Sequence, residues 1–326
     1  MKKFFYIFIL LLIPHLCSYA QSATTDWAKM GLKGRVKSVE TSFYFTIEKD
    51  GKITKGDPFS MGFYPSEKIE QMHLMQRMGA VAFFAAFLID IVPSVITYNS
   101  NGFLVEKRLF DTTLHRRIVY TYDTKNQLID KSTFVRDQLV VRDSYRYNAD
   151  GEKIEELLNQ IEGEGGVTCK YSYNADRQLI ECNYIDVDKL PSAKEVYTYK
   201  DKQLVSKDTY RNEKLSARAL YQYNSENQLI CSLFQGVGSM IWDSKYIYDK
   251  NKKLREEYIV INGNEKNGFL NKFSSEGRLI EHLTFSSNKL STFHYTNDKQ
   301  GNWIKLINYE QELPILYVER KIEYFK

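Results

Sequence analysis

The feature that most constrains this chain is a unit of about 25 residues that recurs along its last two thirds. Residues 145–182 contain the sequence YRYNADGEKIEELL and, 26 residues after its start, YSYNADRQLIEC. Each copy has two aromatic residues separated by one other residue, followed by a polar turn, an aliphatic pair and a charged strand. A unit of this length accommodates two strands and two turns, so each copy is predicted to form one β-hairpin.

The number of copies predicts the architecture. The second aromatic of each unit falls at Tyr98, Tyr122, Tyr147, Tyr173, Tyr199, Tyr223, Tyr248, Phe273 and Tyr295, and a degenerate copy ends at Tyr324. With the N-terminal strands this gives roughly 20 strands, and open sheets rarely exceed about 10 without curling. We therefore predict an all-β fold: a long, curled antiparallel β-meander of about nine ~25-residue hairpin repeats, forming an open trough.

The turn sequences predict the register of these hairpins. In Tyr98–Gly102 and Tyr147–Gly151 a glycine is placed to adopt positive φ, as in a three-residue loop with a bulge. Tyr98 should then lie opposite Leu104, with the second aliphatic residue on the other face. Lys153 and Lys253 are expected to replace the first aliphatic residue in their units.

The chain divides into three predicted parts. Residues 1–20 resemble a cleaved signal peptide, with Lys2 and Lys3 before the apolar run Phe4–Ile13 and Ala20 at the cleavage site. A lipid anchor on Cys17 and an uncleaved anchor are the alternatives. Residues 21–95 would supply N-terminal strands and a helix of the same fold, and residues 96–326 the repeat domain.

The predicted helix spans about residues 67–91. Ser66 can cap it, Pro93 ends it, and Ala80–Ile89 is apolar all round, so this part must be buried in protein or lipid. We expect it to pack on the sheet. The alternatives are a partner surface carrying Phe83, Phe84 and Phe87, or contact with a membrane, although Met78–Ile89 is shorter than the roughly 20 residues of a membrane span.

Charge argues against some partners. The formal charge of +4 falls to +2 when residues 1–20 are removed, since Lys2 and Lys3 leave with them and no acidic residue does. This balance does not favour nucleic acid or an anionic membrane. We expect an exported protein of the periplasm or cell surface, whose partner is a carbohydrate or another envelope protein. We expect no membrane contact after the signal is removed.

The residues give no indication of catalysis. Recurrent acids such as Glu155, Glu181 and Glu281 are typical of solvated strand ends, and we predict no enzyme activity, no cofactor and no metal site. His282 and His294 should lie on opposite faces of neighbouring strands. Cys169 and Cys182 could form a disulfide if their turn has two residues; the bulged turn would place them on opposite faces as free thiols, which we favour.

The recurrent tyrosines are the one feature with a functional interpretation. Aromatic rings with a polar tip suit sugars or protein partners, whereas cross-strand aromatic pairs also form cores. Core packing is the expected role, and ligand binding is the alternative. The candidate ligand-binding residues are Tyr122, Tyr147, Tyr173, Tyr199, Tyr223 and Tyr248.

Residues 120–128, YTYDTKNQL, and 246–249, YIYD, resemble the YD repeat of RHS-type secreted bacterial proteins. Most copies here have asparagine in place of the aspartate, and Gly277-Arg278-Leu279 retains the end of the motif. The resemblance implies a β-shell architecture, and in shorter relatives it implies binding of carbohydrates or surfaces. The few repeats make a toxin-enclosing role doubtful. We expect a non-enzymatic binding module at the cell envelope; the alternative is a scaffold that docks a partner through the apolar helix or a sheet edge.

Overall fold

The computed structural model describes residues 24–58, 93–110, 115–160, 166–186, 190–236 and 240–326. These residues form 21 strands and one short helix, α1 (Asp26–Lys29). The strands are β1 (Val36–Lys49), β2 (Lys52–Pro58), β3 (Ser94–Tyr98), β4 (Leu104–Phe110), β5 (His115–Tyr122), β6 (Leu128–Val135), β7 (Gln138–Tyr147), β8 (Lys153–Gln160), β9 (Gly166–Tyr173), β10 (Leu179–Ile185), β11 (Pro191–Lys200), β12 (Gln203–Arg211), β13 (Lys214–Tyr223), β14 (Leu229–Gln235), β15 (Ile241–Tyr248), β16 (Leu254–Ile261), β17 (Asn264–Phe273), β18 (Leu279–Thr284), β19 (Lys289–Asn297), β20 (Trp303–Glu310) and β21 (Leu313–Tyr324).

The strands close into a barrel. From β3 to β21 each strand pairs antiparallel with the next, and β1 pairs with both β21 and β3. The ring therefore contains 20 strands, and β2 is an extra strand that pairs with β1. The predicted open, curled meander is wrong, because β1 occupies the edge that β3 and β21 would otherwise leave free. Closure removes both free edges of the twisted sheet.

Helix is almost absent from the described residues. The side chain of Thr25 caps α1 by accepting a hydrogen bond from the backbone N–H of Ala28. The predicted apolar helix at about residues 67–91, expected to pack on the sheet, lies outside the described residues. In the described part of the chain, no helix has the length and apolar character needed to cross a membrane.

The predicted register of the hairpins is confirmed. Tyr98 pairs with Leu104 and Tyr147 with Lys153, and Gly102 has a φ of +84°. The side chain of Asn99 stabilises the first turn by accepting hydrogen bonds from the backbone N–H groups of Asn101 and Phe103. Asparagine, aspartate or serine accepts in the same way in seven later turns, at Asp123, Asn148, Asn174, Asn224, Asp249, Ser274 and Asp298.

Two assignments within the repeat are corrected. Leu254, and not Lys253, lies opposite Tyr248. Asn297 lies opposite Trp303, so Tyr295 occupies the position of the first aromatic residue in its unit rather than the second.

In each hairpin, a further bulge follows the first residue of the aliphatic pair. In the hairpin of β9 and β10, Tyr173 pairs with Leu179, but Ser172 pairs with Glu181, so one residue is skipped. This shift turns Cys182 onto the same face as Tyr171 and Cys169. The prediction that Cys169 and Cys182 lie on opposite faces is therefore wrong, whereas the prediction that they are free thiols is confirmed.

Burial distinguishes the two faces of the wall. The tyrosine-bearing face includes buried residues on many strands, among them Phe43, Ile96, Asp143, Cys169, Glu195, Ser244, Asn271, Phe293 and Val318. We call it the inner face. The opposite, outer face has exposed residues such as Leu157, Leu220 and Ile247 and cross-strand ion pairs such as Arg142–Asp130 and Arg218–Asp208.

The apolar core lies beside the strand that closes the barrel. One cluster is centred on Phe43, Leu306 and Val318, and a second contains Val36, Val39, Ile96 and Tyr98. Trp27 and Leu32 of the N-terminal segment pack against the second cluster. The closing strand is therefore held by side-chain packing as well as by its backbone hydrogen bonds.

Polar contacts fix the N-terminal segment across this closure. The carboxylate of Asp26 accepts a hydrogen bond from the backbone N–H of Leu104 (2.8 Å), and it lies 3.2 Å from the hydroxyl of Tyr122. The amide of Asn302 accepts from the backbone N–H of Lys33 and donates to its carbonyl and to the hydroxyl of Tyr324. These contacts join the first repeats to the last.

Candidate binding surface on the inner wall of the barrel

The repeat places two rows of tyrosines on the inner face. The second row consists of the candidate ligand-binding residues Tyr122, Tyr147, Tyr173, Tyr199, Tyr223 and Tyr248, and the first row of Tyr120, Tyr145, Tyr171, Tyr197, Tyr221 and Tyr246. Equivalent rings are two strands apart, which corresponds to roughly 9–10 Å. The described rings of both rows are partly buried.

The hydroxyls of the second row bond to the wall itself. Each donates to the main-chain carbonyl of the residue that begins the previous aliphatic pair, at 2.8–3.0 Å; the acceptors are Leu104, Leu128, Lys153, Leu179, Leu204 and Leu229. Burial raises the pKa of Tyr147 to about 12 and also raises that of Tyr248. These hydroxyls are therefore protonated donors at neutral pH. Ligand binding by the rings of this row stays a prediction, and Phe83, Phe84 and Phe87 lie outside the described residues.

The first row is surrounded by charged side chains that sequence reasoning missed. The Tyr171 hydroxyl donates to the Glu156 carboxylate at 2.7 Å, and the Lys153 ammonium lies 2.9 Å from the same carboxylate. The Lys153 ammonium also lies over the Tyr171 ring, 4.5 Å from its centroid. Lys153 is the residue that interrupts the aliphatic pattern in the sequence, and this interruption was the available signal.

A second set of the same composition lies two strands further along the wall. Tyr197 donates to Glu195 at 2.6 Å, the Lys207 ammonium lies 2.7 Å from Glu195, and that ammonium is 5.6 Å from the centroid of the Tyr197 ring. Lys131 and Asp143 form a related ion pair at 3.1 Å, where burial raises the pKa of Asp143. The alternation of inward-facing acids and lysines could not be recognised without the register of the bulges.

The set around Tyr171 is accessible to a polar ligand, whereas the Glu195 carboxylate of the second set is only 8% exposed. The Lys153 side chain is 32% exposed and that of Glu156 is 17% exposed, so both remain in reach of a molecule inside the barrel. Each set combines an aromatic face, a carboxylate that accepts hydrogen bonds and an ammonium that donates them. Because acid and base are paired, each set is close to neutral.

A different polar chain lies between β16 and β18. The Asn271 amide nitrogen donates to Glu257 at 2.9 Å, so its oxygen accepts from Nδ1 of His282 at 2.7 Å. Nε2 of His282 is then free to accept from the Thr284 hydroxyl at 3.2 Å. Burial lowers the pKa of His282 to about 4 and raises the pKa of Glu257. This chain holds a neutral, buried imidazole and lies away from the exposed part of the wall.

Comparison with known proteins assigns no family. No family model matches the chain, and no curated protein matches it. Among solved structures, the toxin component TcdB2-TccC3 is 15% identical over 66% of this chain and 14% of that chain, with a TM-score of 0.38. A porin-like protein from Bacteroides uniformis is 11% identical over 89% of this chain and 98% of that chain, with a TM-score of 0.35. A porin-like protein from Bacteroides vulgatus is 9% identical over 71% of this chain and 91% of that chain, with a TM-score of 0.28.

These similarities carry no argument about ligand or partner, because the identities and TM-scores are low. The chain spans only 14% of the length of the toxin component. The resemblance to YD repeats is not confirmed, because no family model matches the chain.

Proposed function

We propose that this protein is an exported, non-enzymatic binding module of the cell envelope, and that the inner wall of its barrel binds a carbohydrate. The observation that carries the proposal is the repeated set of tyrosine, carboxylate and lysine, present as Tyr171–Glu156–Lys153 and as Tyr197–Glu195–Lys207.

The chemistry of these sets suits an uncharged sugar. A tyrosine ring offers a flat apolar face to the C–H groups of a sugar ring, and the adjacent carboxylate and ammonium can bond to its hydroxyls. The ion pairs leave no large uncompensated charge to attract an ionic ligand. Barrels with many strands enclose a lumen that side chains do not fill, which leaves room for such a ligand.

The outer face of the wall carries paired charged side chains, which favours contact with water. Arg142–Asp130 and Arg218–Asp208 form ion pairs across neighbouring strands there, at 2.5 and 2.7 Å. Charged side chains are unfavourable on a face that contacts lipid. The ion pairs therefore favour a wall that faces water, and the signal-like residues 1–20 support export to the periplasm or cell surface.

The proposal is tested with a glycan array followed by calorimetry on the oligosaccharides that bind. Tyr171→Ala, which removes one ring of the inner wall, should weaken binding at least tenfold. Tyr44→Ala is the matched control, because Tyr44 packs against Tyr317 on the outer face and loses the same atoms. Equal losses in both folded variants, or a wild-type protein that binds no glycan, would contradict the proposal.

A scaffold that docks a partner is the second candidate. In the described part of the chain β2 has an edge that pairs with no other strand, since β1 is its only partner there. This edge carries Lys52, Lys55 and Pro58, which disfavour the addition of another strand. Light scattering that detects a larger assembly, lost in Phe84→Glu, would favour this candidate through the predicted apolar helix.

A further inference from the structure

Two of the three thiols outside the predicted signal peptide lie side by side on the inner wall. Cys169 is in β9 and Cys182 in the paired strand β10, and they are 2% and 1% exposed. Cys169 pairs with Tyr184 and Cys182 with Tyr171, so the two cysteines are diagonal neighbours on one face. Both are free thiols in the structure.

The next repeat shows that this diagonal brings side chains together. Glu195 pairs with Thr209 and Lys207 with Tyr197, so Glu195 and Lys207 have the same relationship in β11 and β12 as the two cysteines have in β9 and β10. Their charged groups lie 2.7 Å apart. The repeat therefore places a pair of thiols where the neighbouring unit has a salt bridge.

We propose that Cys169 and Cys182 are an oxidation site, at which a cross-strand disulfide forms when the exported chain meets an oxidant that itself carries a disulfide. Diagonal neighbours in a sheet are about 7–8 Å apart, just beyond the Cα separation that a disulfide usually spans, so bond formation must draw β9 and β10 together at this point. Oxidising compartments outside the cytosol maintain such bonds.

The reaction is an ordinary thiol–disulfide exchange. In a chain that is still folding, where the pair is not yet buried, the Cys182 thiolate attacks one sulfur of the oxidant's disulfide, forms a mixed disulfide and displaces the other sulfur as a thiolate. Cys169 then gives up its proton and attacks the Cys182 sulfur, which releases the second thiol of the oxidant. The two cysteines lose two electrons and two protons, and the oxidant gains them. Once β9 and β10 are paired, the neighbouring Cys169 thiol lowers the pKa of Cys182, which favours Cys182 as the attacking thiol.

The third cysteine provides an internal control. Cys231 is in β14 and pairs with Gln222 and Lys245 on the outer face, where its thiol lies 3.7 Å from a carboxylate oxygen of Asp243. It therefore lies on the other side of the wall from the pair, and the fold permits one intramolecular bridge among Cys169, Cys182 and Cys231.

The test counts thiols by mass. The chain without residues 1–20 is unfolded, reduced and refolded with oxidised and reduced glutathione, and is then denatured with an alkylating reagent but no reductant. We expect one alkyl group per chain, on Cys231, and three after reduction. Peptide mapping should find the segments of Cys169 and Cys182 linked to each other.

Two cysteine variants distinguish a Cys169–Cys182 bridge from one that includes Cys231. Cys231→Ser should bind no alkyl group before reduction and two after it, whereas Cys169→Ser should bind two in both cases. Three alkyl groups on the unreduced wild-type chain, or a bridge that includes Cys231, would overturn the proposal. The unreduced wild-type chain decides the outcome, so the test remains decisive if either variant fails to refold.

Discussion

The hydroxyl of Tyr199 in β11 donates a hydrogen bond of 2.9 Å to the main-chain carbonyl of Leu179 in β10, 20 residues earlier in the chain. The same link recurs from Tyr122 to Tyr248, each time between the last strand of one unit and the first strand of the next. The repeat thus contains its own bond to its neighbour, in addition to the backbone ladder.

Removing this link should destabilise the barrel modestly. Tyr199→Phe keeps the ring and leaves the Leu179 carbonyl without this donor, so we expect a loss of about 1 kcal/mol in the free energy of unfolding. Urea unfolding measures it. Tyr44→Phe is the control on the outer face and should change stability less; an equal change would show that the link contributes nothing specific.

Turns in which an aspartate side chain accepts backbone hydrogen bonds should make part of the stability depend on pH. Hydrogen bonds from the backbone N–H groups of Lys253 and Asn251 lower the pKa of Asp249 in the folded state. Its contribution is therefore present above about pH 4, the ordinary value, and is lost as the pH falls through the lower folded pKa.

Asp249→Asn should keep the turn, because the amide oxygen still accepts both hydrogen bonds and asparagine occupies this place in other units. We expect near wild-type stability at pH 7 and a weaker loss of stability below pH 4, measured by urea unfolding at several pH values. An unchanged pH profile would argue against the role of the carboxylate.

His282 should lower stability in mild acid. Its pKa is lowered to about 4 by burial, so between about pH 6.5 and pH 4 the unfolded chain binds a proton that the folded chain does not. Stability is complete above that window and falls within it, by about 2 kcal/mol between pH 7 and pH 5.

The variant His282→Gln should abolish this difference between pH 7 and pH 5. His294→Gln is the matched control, because His294 is exposed on the outer face of β19 and should leave the difference unchanged. A wild-type protein equally stable at both pH values would contradict the assignment of a neutral, buried imidazole.

Asn302 should be the most sensitive turn residue. Its amide is 3% exposed and bonds to both backbone groups of Lys33 and to the Tyr324 hydroxyl. Asn302→Ala leaves these groups unsatisfied, so we expect a loss of roughly 2–3 kcal/mol in urea unfolding. Gln228→Ala, at the equivalent position of a turn where the side chain bonds to Asn224, should cost less. Similar losses would show that the contact to Lys33 adds little.

The local part of this structure could be predicted from the sequence, because it depends on nearby residues. The placement of Tyr98 opposite Leu104 follows from Gly102 and the polar turn before it. The bulge that moves Cys182 to the inner face could not be predicted, because it has no residue signal of its own in the Leu-Ile pair of β10.

Neither the closure of the barrel nor the candidate site could be predicted from the sequence. Closure depends on pairs such as Val39 with Ile322, which are far apart in the chain, and turn chemistry says nothing about them. The charged sets depend on which side of each bulge Glu156, Glu195 and Lys207 fall. The interruption at Lys153 indicated the place, but only the register shows its partners.

The pairing of β1 with β21 also determines the order of events during synthesis. Because the first strand of the ring meets the last, β1 leaves the ribosome long before its partner exists, and the ring cannot be completed until almost the whole chain has been made. A chain truncated before β21 would present two unsatisfied strand edges at once, which invites aggregation. If the protein is exported, as we propose, it can cross the membrane as an unfolded chain and fold only after translocation.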